Sequence, residues 1–144
     1  MIHKDTVRLL RECDSGIKMG IQSIDECIPH VTSQRLKGAM LVSKDEHRRL
    51  KKEIRSLLDR YHDAGKNPNP ILTGMSRMKT EMKLMVSDTD KTVAGLMTDG
   101  CNMGIKSLSG YLNKYKAADE DSKDFAKKLI AAEEQLAKDV RGFL

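Results

Sequence analysis

Apolar residues recur at alternating intervals of three and four residues along most of the chain. In the first segment they form a narrow stripe: Val7, Leu10, Ile17, Ile21, Ile24, Ile28 and Val31. A seven-residue repeat of this kind is typical of helices that pack along their length in a bundle. The spacing predicts a first helix over about residues 4–29, with Pro29 ending or bending it.

Similar spacing continues after a cap at Thr32 or Ser33 and predicts a second helix that ends near Gly65. The segment Asn67-Pro68-Asn69-Pro70 breaks the pattern, and a short third helix follows. Two more helices begin at the caps around residues 87–90 and 119–122. Because Trp is absent and Phe occurs only twice, a β-sheet fold is disfavoured and the chain is predicted to be all-α.

The short third helix carries four methionines at helical spacing: Met75, Met78, Met82 and Met85. A stripe of this kind is usually part of a core, and burial is therefore expected. Two alternatives stay open. The thioethers can bind a soft metal ion such as Cu(I), or they can form an adaptable surface for a partner.

Two parts of the chain repeat. Met19-Gly20-Ile21-Gln22-Ser23-Ile24 matches Met103-Gly104-Ile105-Lys106-Ser107-Leu108, and the segment 50–58 matches 136–144. Similar offsets in the same order indicate a duplicated helical hairpin. The glycines at 16, 20, 100 and 104 are poor helix formers, so their presence within predicted helices needs a structural explanation. We expect them to permit close helix packing, although they can equally leave room for a buried side chain.

Further motifs carry a family resemblance. They are Glu12-Cys13-Asp14-Ser15-Gly16 with Gly20, the segment Gly74-Met75-Ser76-Arg77-Met78, and Asp90 with Thr98-Asp99-Gly100 and Tyr111. The chain resembles ferritin-like bundles over nearly its whole length, in particular a bacterial branch of uncharacterised proteins. The resemblance implies one domain over 1–144, a ferritin-like four-helix bundle. Two hairpins, about 4–65 and 89–144, would be joined by a crossover, about 66–88, with a short extra helix.

Ferritin-like iron proteins bind two metal ions through one Glu on each of two helices and a Glu-x-x-His motif on the other two. Here His47 has Lys44 three residues before it, and Glu133-Glu134 is followed by Leu136 and Ala137. Neither Glu-x-x-His motif is present. The sequence therefore predicts no di-iron centre, and it assigns no catalytic or metal-ligating residue.

Four polar residues nevertheless occupy or adjoin predicted inward positions: Asp14, His47, Asp99 and Glu133. Burial of an ionisable group is costly unless it is paired, so we expect these side chains to meet one another or water. A structural hydrogen-bonded cluster is the first interpretation. A site for a single metal ion or a small ligand is the other.

The formal net charge of +5 is small for a nucleic-acid-binding protein, and the basic second helix lacks interleaved aromatic residues. Nucleic acid is therefore not expected as a partner. The apolar runs are shorter than the roughly 18 residues that a membrane-spanning helix needs. Three cysteines without a close pair, and a start without an apolar signal region, favour a cytoplasmic location.

These observations lead to two hypotheses. The first is a non-enzymatic binding or assembly protein that keeps a ferritin-like frame without the di-iron site and without a cofactor. Its copies can associate through helix faces. The alternative is a metal-dependent or redox ferritin-like enzyme with a rearranged metal site.

Overall fold

The computed structural model describes residues 2–144, without the side chains of Ile2 and Leu72. It contains five α-helices: α1 (Ile2–Cys27), α2 (Gln34–Asp59), α3 (Pro70–Val86), α4 (Asp90–Lys114) and α5 (Glu120–Val140). Short 3-10 helices follow α1 at Ile28–His30 and α5 at Arg141–Phe143. Residues 2–144 contain no β-strand, and the all-α prediction is confirmed. None of the described helices is long and apolar enough to cross a membrane.

Helices α2 to α5 each begin at a side chain that accepts a hydrogen bond from a backbone N–H of the first turn. These N-caps are Ser33, Asn69, Thr89 and Asp119. A cap of this kind stabilises a helix by about 1 kcal/mol. Polar residues in the sequence therefore define where four of the five helices start.

The predicted end of the second helix was wrong. Helix α2 ends at Asp59 rather than near Gly65. His62 has a φ of 54°, a left-handed conformation that does not continue an α-helix. The Arg55 guanidinium also donates a hydrogen bond of 2.9 Å to the carbonyl of Ala64, which folds the chain back over the last turn of α2.

The helices run up, down, down and up in the order α1, α2, α4, α5. At one end of the bundle, the Asp90 carboxylate at the start of α4 accepts hydrogen bonds from the backbone N–H groups of Thr32 (2.8 Å) and Ser33 (3.0 Å). At the other end, Asp5 accepts from the N–H of Ala117, 3.0 Å away. Helices α1 and α4 are therefore antiparallel, and the segment containing α3 returns the chain from the end of α2 to the opposite end of the bundle.

The core consists of two apolar clusters with a polar layer between them. One cluster surrounds Leu10, Ile54 and Phe125, and the other surrounds Met40 and Val140. The buried polar residues His47 and Glu133 lie between the residues of the two clusters along α2 and α5. This layer is the most unusual part of the core, because its ionisable groups are removed from water.

Candidate functional site

His47 of α2 and Glu133 of α5 form the central polar contact of the bundle. The Nε2 atom of His47 lies 2.6 Å from Oε1 of Glu133, and Nδ1 donates a hydrogen bond of 2.7 Å to the carbonyl oxygen of Ser43. The His47 side chain is 1% exposed and that of Glu133 is 11% exposed. Both nitrogens of the imidazole are thus occupied by contacts within the fold.

The geometry requires a proton between the two side chains. Because Nδ1 must carry a proton to reach a carbonyl oxygen, Nε2 either donates to the Glu133 carboxylate or accepts from its acid form. Burial lowers the pKa of His47, whereas the hydrogen bond and the negative charge of Glu133 raise it. The hydrogen bond to Ser43 and the charge of Glu46 add to this, and the net pKa lies above 6.5. The raised pKa of His47 favours an imidazolium that donates a hydrogen bond to Glu133.

Two glycines lie beside this pair, and one of them makes room for it. A Cβ atom at Gly20 of α1 would lie 2.9 Å from Cδ2 and Nε2 of His47, a distance that a real side chain does not tolerate. A Cβ atom at Gly104 of α4 would lie 3.6 Å from Oε2 of Glu133. Room for a buried side chain therefore explains Gly20, whereas a Cβ atom at Gly16, Gly100 or Gly104 would meet only ordinary contacts or nothing within 4 Å.

The pair also follows the internal repeat. His47 and Glu133 are 86 residues apart, the same offset that relates the segments 50–58 and 136–144. Gly20 and Gly104 are equivalent in the other repeated segment. Equivalent residues of the two hairpins thus face each other at the centre of the bundle, as they would beside a pseudo-twofold axis.

Cys101 of α4 also adjoins this layer, and no spacing in the sequence singles it out. Burial is the largest cause that raises the pKa of its thiol, and the charge of Glu133 and a hydrogen bond to it raise the pKa further. A thiol of this kind stays protonated at neutral pH and is a poor nucleophile. Cys13 and Cys27 are also buried free thiols. Burial raises their pKa values to about 12 and about 11.

Asp14 lies elsewhere and has a different role. Its Oδ2 atom accepts hydrogen bonds from the Lys18 ammonium at 2.8 Å and from the backbone N–H of Lys66 at 2.9 Å. Asp14 therefore fixes the loop after α2 against α1. Its partner Lys66 lies on the loop, which gives no periodic signal in the sequence.

Asp99 does not belong to the polar layer, so its expected place in the cluster is corrected. Its side chain is 64% exposed, and one carboxylate oxygen lies 3.9 Å from Nζ of Lys83 on α3. The buried residues of α4 nearest to it are Met97 and Cys101. Since residues two positions away point to the other side of a helix, Asp99 faces outward.

The expected burial of the methionine stripe is also wrong. Met75, Met78, Met82 and Met85 are between 61% and 86% exposed. Helix α3 packs on the bundle through its opposite side, where Leu84 is buried. The stripe therefore faces away from the core, and the two alternatives, a soft-metal site and a partner surface, remain.

Among the residues that the structure describes, no group of three or more His, Cys, Asp or Glu side chains is arranged to hold a metal ion. Comparison with models of known protein families finds no match. Comparisons with curated proteins and with solved structures find none either.

Proposed function

We propose that the chain is a binding or assembly protein on a ferritin-like frame, and that α3 pairs with α3 of a second copy. The pairing surface, called here the α3 seam, consists of Ile71, Met75, Met78, Met82 and Met85. All five side chains are more than 60% exposed. This exposure is the observation that carries the proposal, because a contiguous apolar face of this kind is typical of an interaction site.

The spacing of the seam supports a helix as the partner. Its members follow one another at intervals of four, three, four and three residues, which is the a and d pattern of a coiled coil. A helix with the same pattern would cover the seam along its whole length. Helix α3 of a second copy has that pattern by definition.

The area is enough for a weak dimer. The five seam side chains and the adjacent Val86 each expose on the order of 100 Å² of apolar surface, or about 600 Å² per copy. A stable interface typically buries about 800 Å² per partner. We therefore expect reversible association rather than a permanent complex.

The charges beside the seam favour a parallel pair. Lys79 lies along one edge of the seam and Glu81 along the other, and both are exposed. In a parallel, in-register pair, the Lys79 edge of one copy faces the Glu81 edge of the other. An antiparallel pair would place like charges opposite each other, which opposes association.

The ferritin-like part of the proposal is supported by the connectivity of the helices. A bundle with two antiparallel hairpins and one long crossover is the plan of ferritin-like folds. In this chain a buried His47–Glu133 pair occupies the centre, where ferritin-like iron proteins carry their metal ligands. In this proposal the four-helix bundle supports α3, and the α3 seam is the surface that binds the second copy.

Sedimentation equilibrium tests this function between about 10 μM and about 1 mM, where interfaces of this size associate. The wild-type chain is expected to form dimers that Met78→Glu/Met82→Glu weakens at least tenfold. Val42→Glu is the matched control, because Val42 is 68% exposed but lies on α2. A chain that stays monomeric throughout, or dimers that the seam variant leaves intact, would contradict the proposal.

A further inference from the structure

The α3 seam contains four thioethers where apolar side chains of better-defined shape would pack more specifically. Leu and Ile are the usual residues at a and d positions, and Met is flexible and specifies a seam poorly. Yet only Ile71 of the five seam residues is branched. The preference for sulfur therefore needs a reason other than hydrophobicity.

The metal-binding chemistry of sulfur offers a reason for methionine at these positions. We infer that the α3 seam binds a soft monovalent cation, Cu(I) or Ag(I), through neighbouring thioether sulfurs, which goes beyond the proposed self-association. Thioethers are soft, uncharged donors that favour Cu(I) over hard divalent ions. The ion binds as supplied, with no change of oxidation state and no proton released.

The positions of the methionines suit a shared ion. Met78 and Met82 are four residues apart, and Met82 and Met85 are three apart, so their Cβ atoms lie about 5–6 Å from each other. Each side chain has three rotatable bonds and is free to move, since none is packed in the core. Two sulfurs can therefore approach one ion from opposite sides.

The cysteines do not offer an equivalent site. Cys13, Cys27 and Cys101 are each no more than 2% exposed, and burial is the largest cause that raises the pKa of each thiol. A thiol must lose its proton to become a strong metal ligand. The thioethers of α3 are accordingly the sulfur donors that an ion in solution meets first.

The test is an anaerobic calorimetric titration of the chain with Cu(I), supplied as its acetonitrile complex, and the same titration with Ag(I). The wild-type chain is expected to bind about one ion per chain. Met78→Leu/Met82→Leu removes two sulfurs and keeps the seam apolar, and it should weaken binding at least tenfold. Ile71→Leu/Val86→Leu, the matched control on the same helix, should bind as the wild type does.

Failure to bind either ion would overturn the inference. So would equal binding by the wild type and Met78→Leu/Met82→Leu, or an ultraviolet thiolate-to-copper band, which would assign the ion to the cysteines. Self-association is judged separately, because Leu retains it and Glu removes it. A seam that dimerises without binding Cu(I) contradicts this inference alone.

Discussion

Removal of one partner of the buried His47–Glu133 pair should cost much more than removal of both. His47→Leu leaves the Glu133 carboxylate facing an apolar side chain, and Glu133→Leu leaves the imidazole without its acceptor. Breaking a buried ion pair from one side destabilises a protein by about 3–5 kcal/mol. Replacing both partners by apolar residues is often neutral or stabilising.

The assay is urea unfolding followed by circular dichroism for the wild type, both single variants and the double variant. We expect each single variant to lose about 3–5 kcal/mol and His47→Leu/Glu133→Leu to lie much closer to the wild type. The coupling energy should then exceed about 2 kcal/mol. If the stability losses of the two single variants sum to that of the double variant within about 0.5 kcal/mol, the reasoning is refuted, because independent sites are additive in that way.

The same pair predicts a dependence of stability on pH. The pKa of His47 is raised in the folded state, so its contribution to the unfolding free energy is complete below the unfolded value of about 6.5. The contribution is lost as the pH rises through the folded-state pKa. His47→Leu/Glu133→Leu should lack this loss. An unchanged slope above pH 6.5 in the double variant would contradict the assignment to His47.

Three further outcomes follow from individual contacts. In thermal unfolding, Gly20→Ala should destabilise the protein by about 1–3 kcal/mol, because the added methyl group overpacks against the imidazole of His47. Gly104→Ala adds only ordinary contacts and should be neutral or stabilise the protein by up to about 1 kcal/mol. Asp14→Ala should cost about 1–3 kcal/mol and speed hydrogen exchange of the Lys66 amide, which loses its acceptor. At pH 8 the Cys13 thiol, with a pKa of about 12, should react with Ellman's reagent only after unfolding, and rapid reaction of the native chain would disprove its burial.

Much of the fold was predictable, because helix periodicity and polar caps are local signals. The caps at Ser33 and Asp119 are examples. The end of α2 was missed since a left-handed residue such as His62 has no periodic signature. His47 and Glu133 were identified as polar seam residues, but their pairing was not. Their shared offset in the repeat was the signal for it, because equivalent positions can meet across a pseudo-twofold axis.

The methionine stripe shows what periodicity leaves open. An apolar face at helical spacing predicts that something covers the face, but it does not distinguish the core of the same chain from another molecule. Helix α3 uses Leu84 on its opposite side to pack on the bundle, and that one residue leaves little local signal. Asp99 was misplaced because it only adjoins the predicted inward position Gly100, and a glycine has no side chain to mark the inward face.

The most direct test of the assembly proposal is disulfide cross-linking with single cysteines in the α3 seam. In a parallel pair, residue 82 of one copy faces residue 82 of the other, with Cα atoms about 6 Å apart, a separation that a disulfide bridges. Mild oxidation of Met82→Cys should therefore yield a covalent dimer, while the buried native cysteines stay reduced. A mixture of Met75→Cys and Met85→Cys chains should give no mixed dimer. Efficient formation of the mixed dimer, with no cross-linking of Met82→Cys, would contradict the parallel pair. No cross-linking of any of these variants would contradict pairing through α3.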